Sequence, residues 1–162
     1  MQRVVFSLFV CCALFMAPCL SAHAGINMGG NVAYKISEDQ LTLWVEQVRN
    51  GNWLTNSGTL KLKLRATDDP YSGGSINGYV LGTYELGTLR ALSSFNDIEA
   101  TVTYSSPPAG SYFMTMTLTE WNGSRDVIVD YISLGGETLG YKTVIVKEED
   151  GGGGCFILTS GF

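Results

Sequence analysis

Hydrophobic and polar residues alternate one by one along Thr59-Leu60-Lys61-Leu62-Lys63-Leu64-Arg65-Ala66, a period of two that predicts a β-strand with one face in a core. Leu60, Leu62, Leu64 and Ala66 share the inner face, while Lys61, Lys63 and Arg65 point to water. A helix would scatter the three bases into its core. Weaker alternation between clusters of Gly, Pro, Asn and Asp predicts further strands over residues 32–37, 41–49, 78–86, 98–105, 111–121, 127–134 and 142–147. Seven or eight short strands separated by turn chemistry predict an all-β fold, a sandwich or a small barrel.

Residues 41–49 carry a second reading. Ser37-Glu38-Asp39-Gln40 has the form of a helix capping box, and Leu41, Trp44, Val45 and Val48 fall at helical spacing. The strand reading, with Leu41, Leu43 and Val45 inward, is preferred. The stretch is short and rich in β-formers, and a lone helix would need a burial surface of its own. Residues 68–75 are a long polar excursion between two strands, and Ser106-Pro107-Pro108-Ala109-Gly110 is a tighter corner. Proline cannot donate to a ladder, so the corner marks a sheet edge or a crossover. Asn122-Gly123 suits a hairpin turn. Alternation stops after Lys147, so the predicted domain spans 25–147 and is ordered from Asn31. Residues 148–162 form a Gly-rich, flexible tail.

The N-terminal residues change the composition that matters. Arg3, an apolar stretch from Val4 to Cys19, and Ser21-Ala22-His23-Ala24 predict a secretory signal peptide over 1–24, cut after Ala24. The apolar run is about 15 residues, short of the ~20 that span a bilayer. The chain is therefore expected to be secreted, periplasmic or displayed at the cell surface, with no transmembrane span after processing. The whole chain has 10 Lys and Arg against 15 Asp and Glu, and the leader removes one Arg and no acid. An acidic chain with dispersed bases has little to offer phosphates, which argues against nucleic acid and anionic membranes as partners. The single histidine, His23, leaves with the leader, as do Cys11, Cys12 and Cys19. Cys155 then stands alone, without a disulfide partner in the chain. About 138 residues remain, enough for one domain with a core.

Without histidine there is no Ser-His-Asp or Cys-His activation and no imidazole ligand, so no metal, no cofactor and no enzymatic activity are expected. Carboxylates at Asp68, Asp69, Glu120, Asp126 and Asp130 could flank a glycosidic bond in principle, but no spacing recommends them. Calcium at Asp68-Asp69 or at Glu148-Glu149-Asp150 needs only oxygen ligands, yet neither run has the spaced pattern of a binding loop. Aromatic rings are the remaining candidates. Trp44 and Tyr112 are expected in the core. Trp53 and Tyr71 fall in loops beside Asn, Ser and Gly, and they are the predicted ligand-binding residues, for a protein or a glycan at the cell surface.

Residues 82–89, Gly-Thr-Tyr-Glu-Leu-Gly-Thr-Leu, with the later Pro107-Pro108-Ala109-Gly110-Ser111-Tyr112, resemble immunoglobulin-like sandwiches of bacterial exported proteins, such as the adhesion-related domains called CARDB. The resemblance covers about residues 31–134 and implies an immunoglobulin-like antiparallel β-sandwich of seven or eight strands. The tail, from Gly151 through Cys155, Phe156, Ile157 and Thr159, is similar to the bacterial CFI-box element, which implies a processing or attachment role for Cys155. A thiol on an accessible tether suits acylation or thioester exchange. The expected function is an exported, non-catalytic binding or adhesion module. The alternative is a structural or accessory domain held to the envelope by its tail. An outer-membrane barrel, suggested by Phe162, fits poorly because its last strand would contain the Gly tract.

Overall fold

The computed structural model describes residues 25–139 with their side chains, together with the backbone of 141–146 and 156–161. Seven strands run in chain order: β1 (Ile26–Ser37), β2 (Gln40–Asn50), β3 (Thr59–Thr67), β4 (Tyr79–Thr88), β5 (Ser94–Thr103), β6 (Gly110–Trp121) and β7 (Asp126–Leu139). They form two antiparallel sheets with orders β1-β2-β5 and β4-β3-β6-β7. The inner-face residues Leu60, Leu62, Leu64 and Ala66 of β3 are fully buried, as their alternation predicts, and Leu41, Leu43 and Val45 of β2 meet them from the opposite sheet. Met114, Met116 and Leu118 of β6 complete the centre. Each such side chain contributes roughly 2 kcal/mol by leaving water. The result is an immunoglobulin-like sandwich. In the constant-type domain the fourth strand sits on the sheet of the first, second and fifth; here β4 pairs with β3 instead.

Both lateral openings of the sandwich are bridged. On one side the Met28 amide donates to Asp130 Oδ2 at 2.6 Å, and the Tyr34 hydroxyl donates to Glu137. Burial, then that carboxylate, pushes the Tyr34 phenol up from its ordinary value. On the other side the Ser105 amide donates to the Leu81 carbonyl at 2.7 Å. The corner before β6 is held by its own tyrosine. Tyr112 is buried, its hydroxyl donates to the Pro108 carbonyl at 3.0 Å, and its ring meets Tyr79 edge to face. This is the tyrosine corner of immunoglobulin-like sandwiches, placed where Pro108-Ala109-Gly110-Ser111-Tyr112 launches a core strand.

The preferred strand reading of residues 41–49 holds in β2, against the capping-box alternative, and three other local expectations are corrected. Ser37-Glu38-Asp39-Gln40 is a two-residue hairpin between β1 and β2, with Glu38 at φ +54°, the positive value that primed turns require. The first strand begins at Ile26 rather than near Asn31, because β1 continues through a bulge at Gly29–Val32, where Gly30 adopts φ +73° beneath the Glu46 side chain. Trp44 lies between the inward Leu43 and Val45 and so faces outward, half-buried. Lys61, Lys63 and Arg65 are half-buried rather than open to water.

β8 (Tyr141–Val146) and β9 (Phe156–Gly161) pair antiparallel, with Tyr141 opposite Gly161 and Val146 opposite Phe156. β9 has no counterpart in the periodicity, which ends at Lys147. Ala24, Cys155 and the Gly tract lie outside the described residues. Among the described residues, no helix is long and apolar enough to cross a membrane.

Candidate functional site

At one end of the sandwich the β2–β3 and β4–β5 loops are locked together. Asn50, the last residue of β2, is fully buried, and its Nδ2 donates to the carbonyls of Thr55 and Leu89 at 3.0 and 3.1 Å. Its Oδ1 accepts the Asn52 amide, and its own amide donates to Ser93 O. Ser57 and Leu89 bond reciprocally: the Ser57 amide donates to Leu89 O at 2.9 Å, and the Leu89 amide donates to Ser57 Oγ at 2.7 Å. Asn56 Oδ1 accepts the Ala91 amide, and Asn52 O accepts the Leu92 amide. The Gly58 amide donates to Glu120 Oε1, which ties this frame to β6. A Cβ at Gly58 would stand 2.0 Å from the Trp121 carbonyl oxygen, so only glycine permits that approach.

This frame presents apolar side chains to solvent. Trp53 is 74% exposed, Leu54 81% and Leu92 64%. Leu92 holds φ +55°, a left-handed conformation that costs a non-glycine residue about 1–2 kcal/mol. Backbone strain opposes folding and apolar area left exposed adds nothing to it, and here the two coincide in a segment whose backbone is otherwise fixed.

The second surface is the outer face of the four-stranded sheet. The β3–β4 loop folds back over it and is pinned by three bonds: Thr67 Oγ1 donates to Asp69 O, the Tyr71 hydroxyl to Gly74 O, and Ser133 Oγ to Tyr71 O. The Tyr71 ring meets Tyr131 of β7 edge to face at 4.6 Å. Beneath the loop lies a cleft of about 620 Å³ whose lining includes Arg65, Tyr71, Ile76, Arg125, Asp126 and Tyr131. Asp126 accepts Lys63 Nζ at 2.6 Å and Lys61 Nζ at 3.4 Å, and chiefly the Lys63 bond holds its carboxyl below the usual range. Burial pushes the Arg65 guanidinium below its ordinary value, with the nearby Tyr71 phenol opposing the shift. Arg65 Nε and Thr115 Oγ1, on residues directly opposite each other in the β3–β6 register, are buried without a hydrogen-bond partner among the described residues.

Trp53 and Tyr71 are thus not brought together. Trp53 stands at the loop end, and Tyr71 is half-buried as a wall of the cleft. Sequence reasoning missed Leu54, Leu92, Arg65 and Arg125. Leu54, beside Trp53 in an Asn-rich loop, carried the one local signal of the four. Three of the carboxylates weighed for glycosidic chemistry are engaged separately: Glu120 with Gly58, Asp126 with the two lysines, and Asp130 with the Met28 amide.

Fold and surfaces together define a seven-stranded immunoglobulin-like module with two candidate recognition sites. No protein-family model and no curated protein matches the chain. Among solved structures it is similar to the β-glucosidase of Kluyveromyces marxianus. Identity is 11%, the TM-score is 0.37, and the match covers 70% of this chain and 15% of that one. The same enzyme in complex with glucose gives 12% identity, a TM-score of 0.37, and coverage of 70% and 14%. This chain therefore spans about a seventh of those chains, and at that similarity their activity does not carry over.

Proposed function

We propose that this chain is an exported, non-catalytic binding module that acts outside the cytoplasm and engages a protein partner through its Trp53–Leu54–Leu92 end. The observation that carries the reading is the rigid hydrogen-bonded frame beneath those exposed side chains. A fixed loop loses little entropy on docking, so the apolar area it offers converts more fully into affinity. Tryptophan in a desolvated contact is a typical anchor, and the leucines beside it exclude water. The partner is a protein with an apolar pocket rather than an anionic membrane, because acids outnumber bases fifteen to ten.

The test is an array of extracellular proteins and glycans probed with the whole exported chain and with its Trp53→Ala and Leu54→Ala variants. An arrayed protein is expected to be retained, with affinity reduced at least about tenfold in Trp53→Ala. Retention unchanged in a folded Trp53→Ala variant, or no retention at all, overturns the reading. In the latter case a structural domain attached through its C-terminal tail becomes the better account.

A further inference from the structure

The outer-face cleft gathers chemistry that the loop end does not use. Four of the ten Lys and Arg residues of an acidic chain, Lys61, Lys63, Arg65 and Arg125, converge on this one face. Asp126 already occupies both lysines. The two guanidiniums are different: among the described residues, neither the Arg65 nor the Arg125 side chain makes a hydrogen bond or an ion pair. Arg65 is half-buried, and a half-buried charge without a counter-ion carries a desolvation cost that nothing local offsets. A planar guanidinium is best satisfied by a carboxylate, which accepts two parallel hydrogen bonds from it.

We infer that this cleft binds a carboxylated saccharide, an oligouronate whose carboxylates meet Arg65 and Arg125 while one of its rings lies against Tyr71. The volume of about 620 Å³ is that of a small-ligand site. Tyr71 is oriented in advance by its hydroxyl bond to Gly74 O and by its contact with Tyr131, so a sugar ring meets a fixed aromatic wall. Ser75 lines the same cleft and supplies a hydroxyl group for those of the sugar. An acidic peptide fits less well. It would offer carboxylates to the same guanidiniums, but it brings no sugar ring to lie against Tyr71.

The test titrates the whole exported chain by calorimetry with an oligogalacturonate, with the neutral oligogalactose of the same length, and with a short polyglutamate peptide. The oligogalacturonate is expected to bind, to weaken as salt rises, and to lose at least about tenfold in affinity in Arg65→Gln and in Arg125→Gln. Arg125 is exposed, so its variant folds even if Arg65→Gln does not. The neutral oligomer and the peptide are each expected to bind at least about tenfold more weakly. No binding of the oligogalacturonate, equal binding of the neutral oligomer, tighter binding of polyglutamate, or unchanged affinity in Arg125→Gln would each overturn the assignment.

Discussion

Asn50→Ala is expected to lower stability by about 3 kcal/mol and Tm by roughly 10 °C. The side chain is fully buried and uses both donors and its acceptor, on Thr55 O, Leu89 O and the Asn52 amide. Truncation leaves those groups short of partners in a region water enters poorly, and a buried unsatisfied group costs about 1–3 kcal/mol. Asn50→Asp is expected to do no better, since it turns a carboxylate toward two carbonyl oxygens. The loss should reach function as well. With the frame slackened, Trp53 and Leu54 would have to be ordered at the moment of docking, so affinity for the proposed protein partner is expected to fall although neither residue is altered. Calorimetric melting of the two variants measures the first effect. A Tm within about 2 °C of the parent would mean that the loops hold their shape without Asn50.

Leu62→Ala addresses the sandwich itself and is expected to cost about 3–4 kcal/mol. Leu62 lies in the middle of β3, fully buried between the two sheets, with paired strands on both sides. Its removal leaves a cavity that flanking leucines on a fixed ladder cannot fill. By contrast, Trp53→Ala removes a side chain that is 74% exposed and should shift stability by no more than about 0.5 kcal/mol. The pair separates the two roles: Leu62 holds the fold, and Trp53 is the proposed anchor for a partner. Denaturant unfolding of both variants would show it as a large fall in midpoint for the first and almost none for the second. A comparable fall for both would place Trp53 in the core rather than on a recognition surface.

The strands were legible where one face alone is buried. The alternation of β3 fixes its inner face, and Asn122-Gly123 marks the β6–β7 hairpin, because both signals are local. Trp44 was misplaced for a related reason. A large ring on a strand usually serves the core, but its neighbours Leu43 and Val45 already occupy the inner positions of β2, and the period of two leaves Trp44 outside. Arg65 was read correctly as pointing away from the core, yet the period says nothing of what covers the outer face. The cover is a loop whose Tyr71 packs against Tyr131, sixty positions later in the chain. The Asn50 frame was hidden in the same way, since an Asn-Gly-Asn run reads as turn chemistry whether its side chains are solvated or buried. The exposure of Trp53 was legible because it follows the turn residues Asn50-Gly51-Asn52 with no strand to carry it inward.

Amide hydrogen exchange at the loop end tests most directly whether the apolar tip is formed before any partner arrives. If it is, the amides of Asn50, Ser57, Leu89, Ala91 and Leu92, each donating to a neighbouring loop or strand end, exchange slowly in the unliganded chain, with protection approaching that of β3 and β6. Exchange at those five amides as fast as in an unstructured peptide, while β3 and β6 stay protected, would contradict a pre-formed tip.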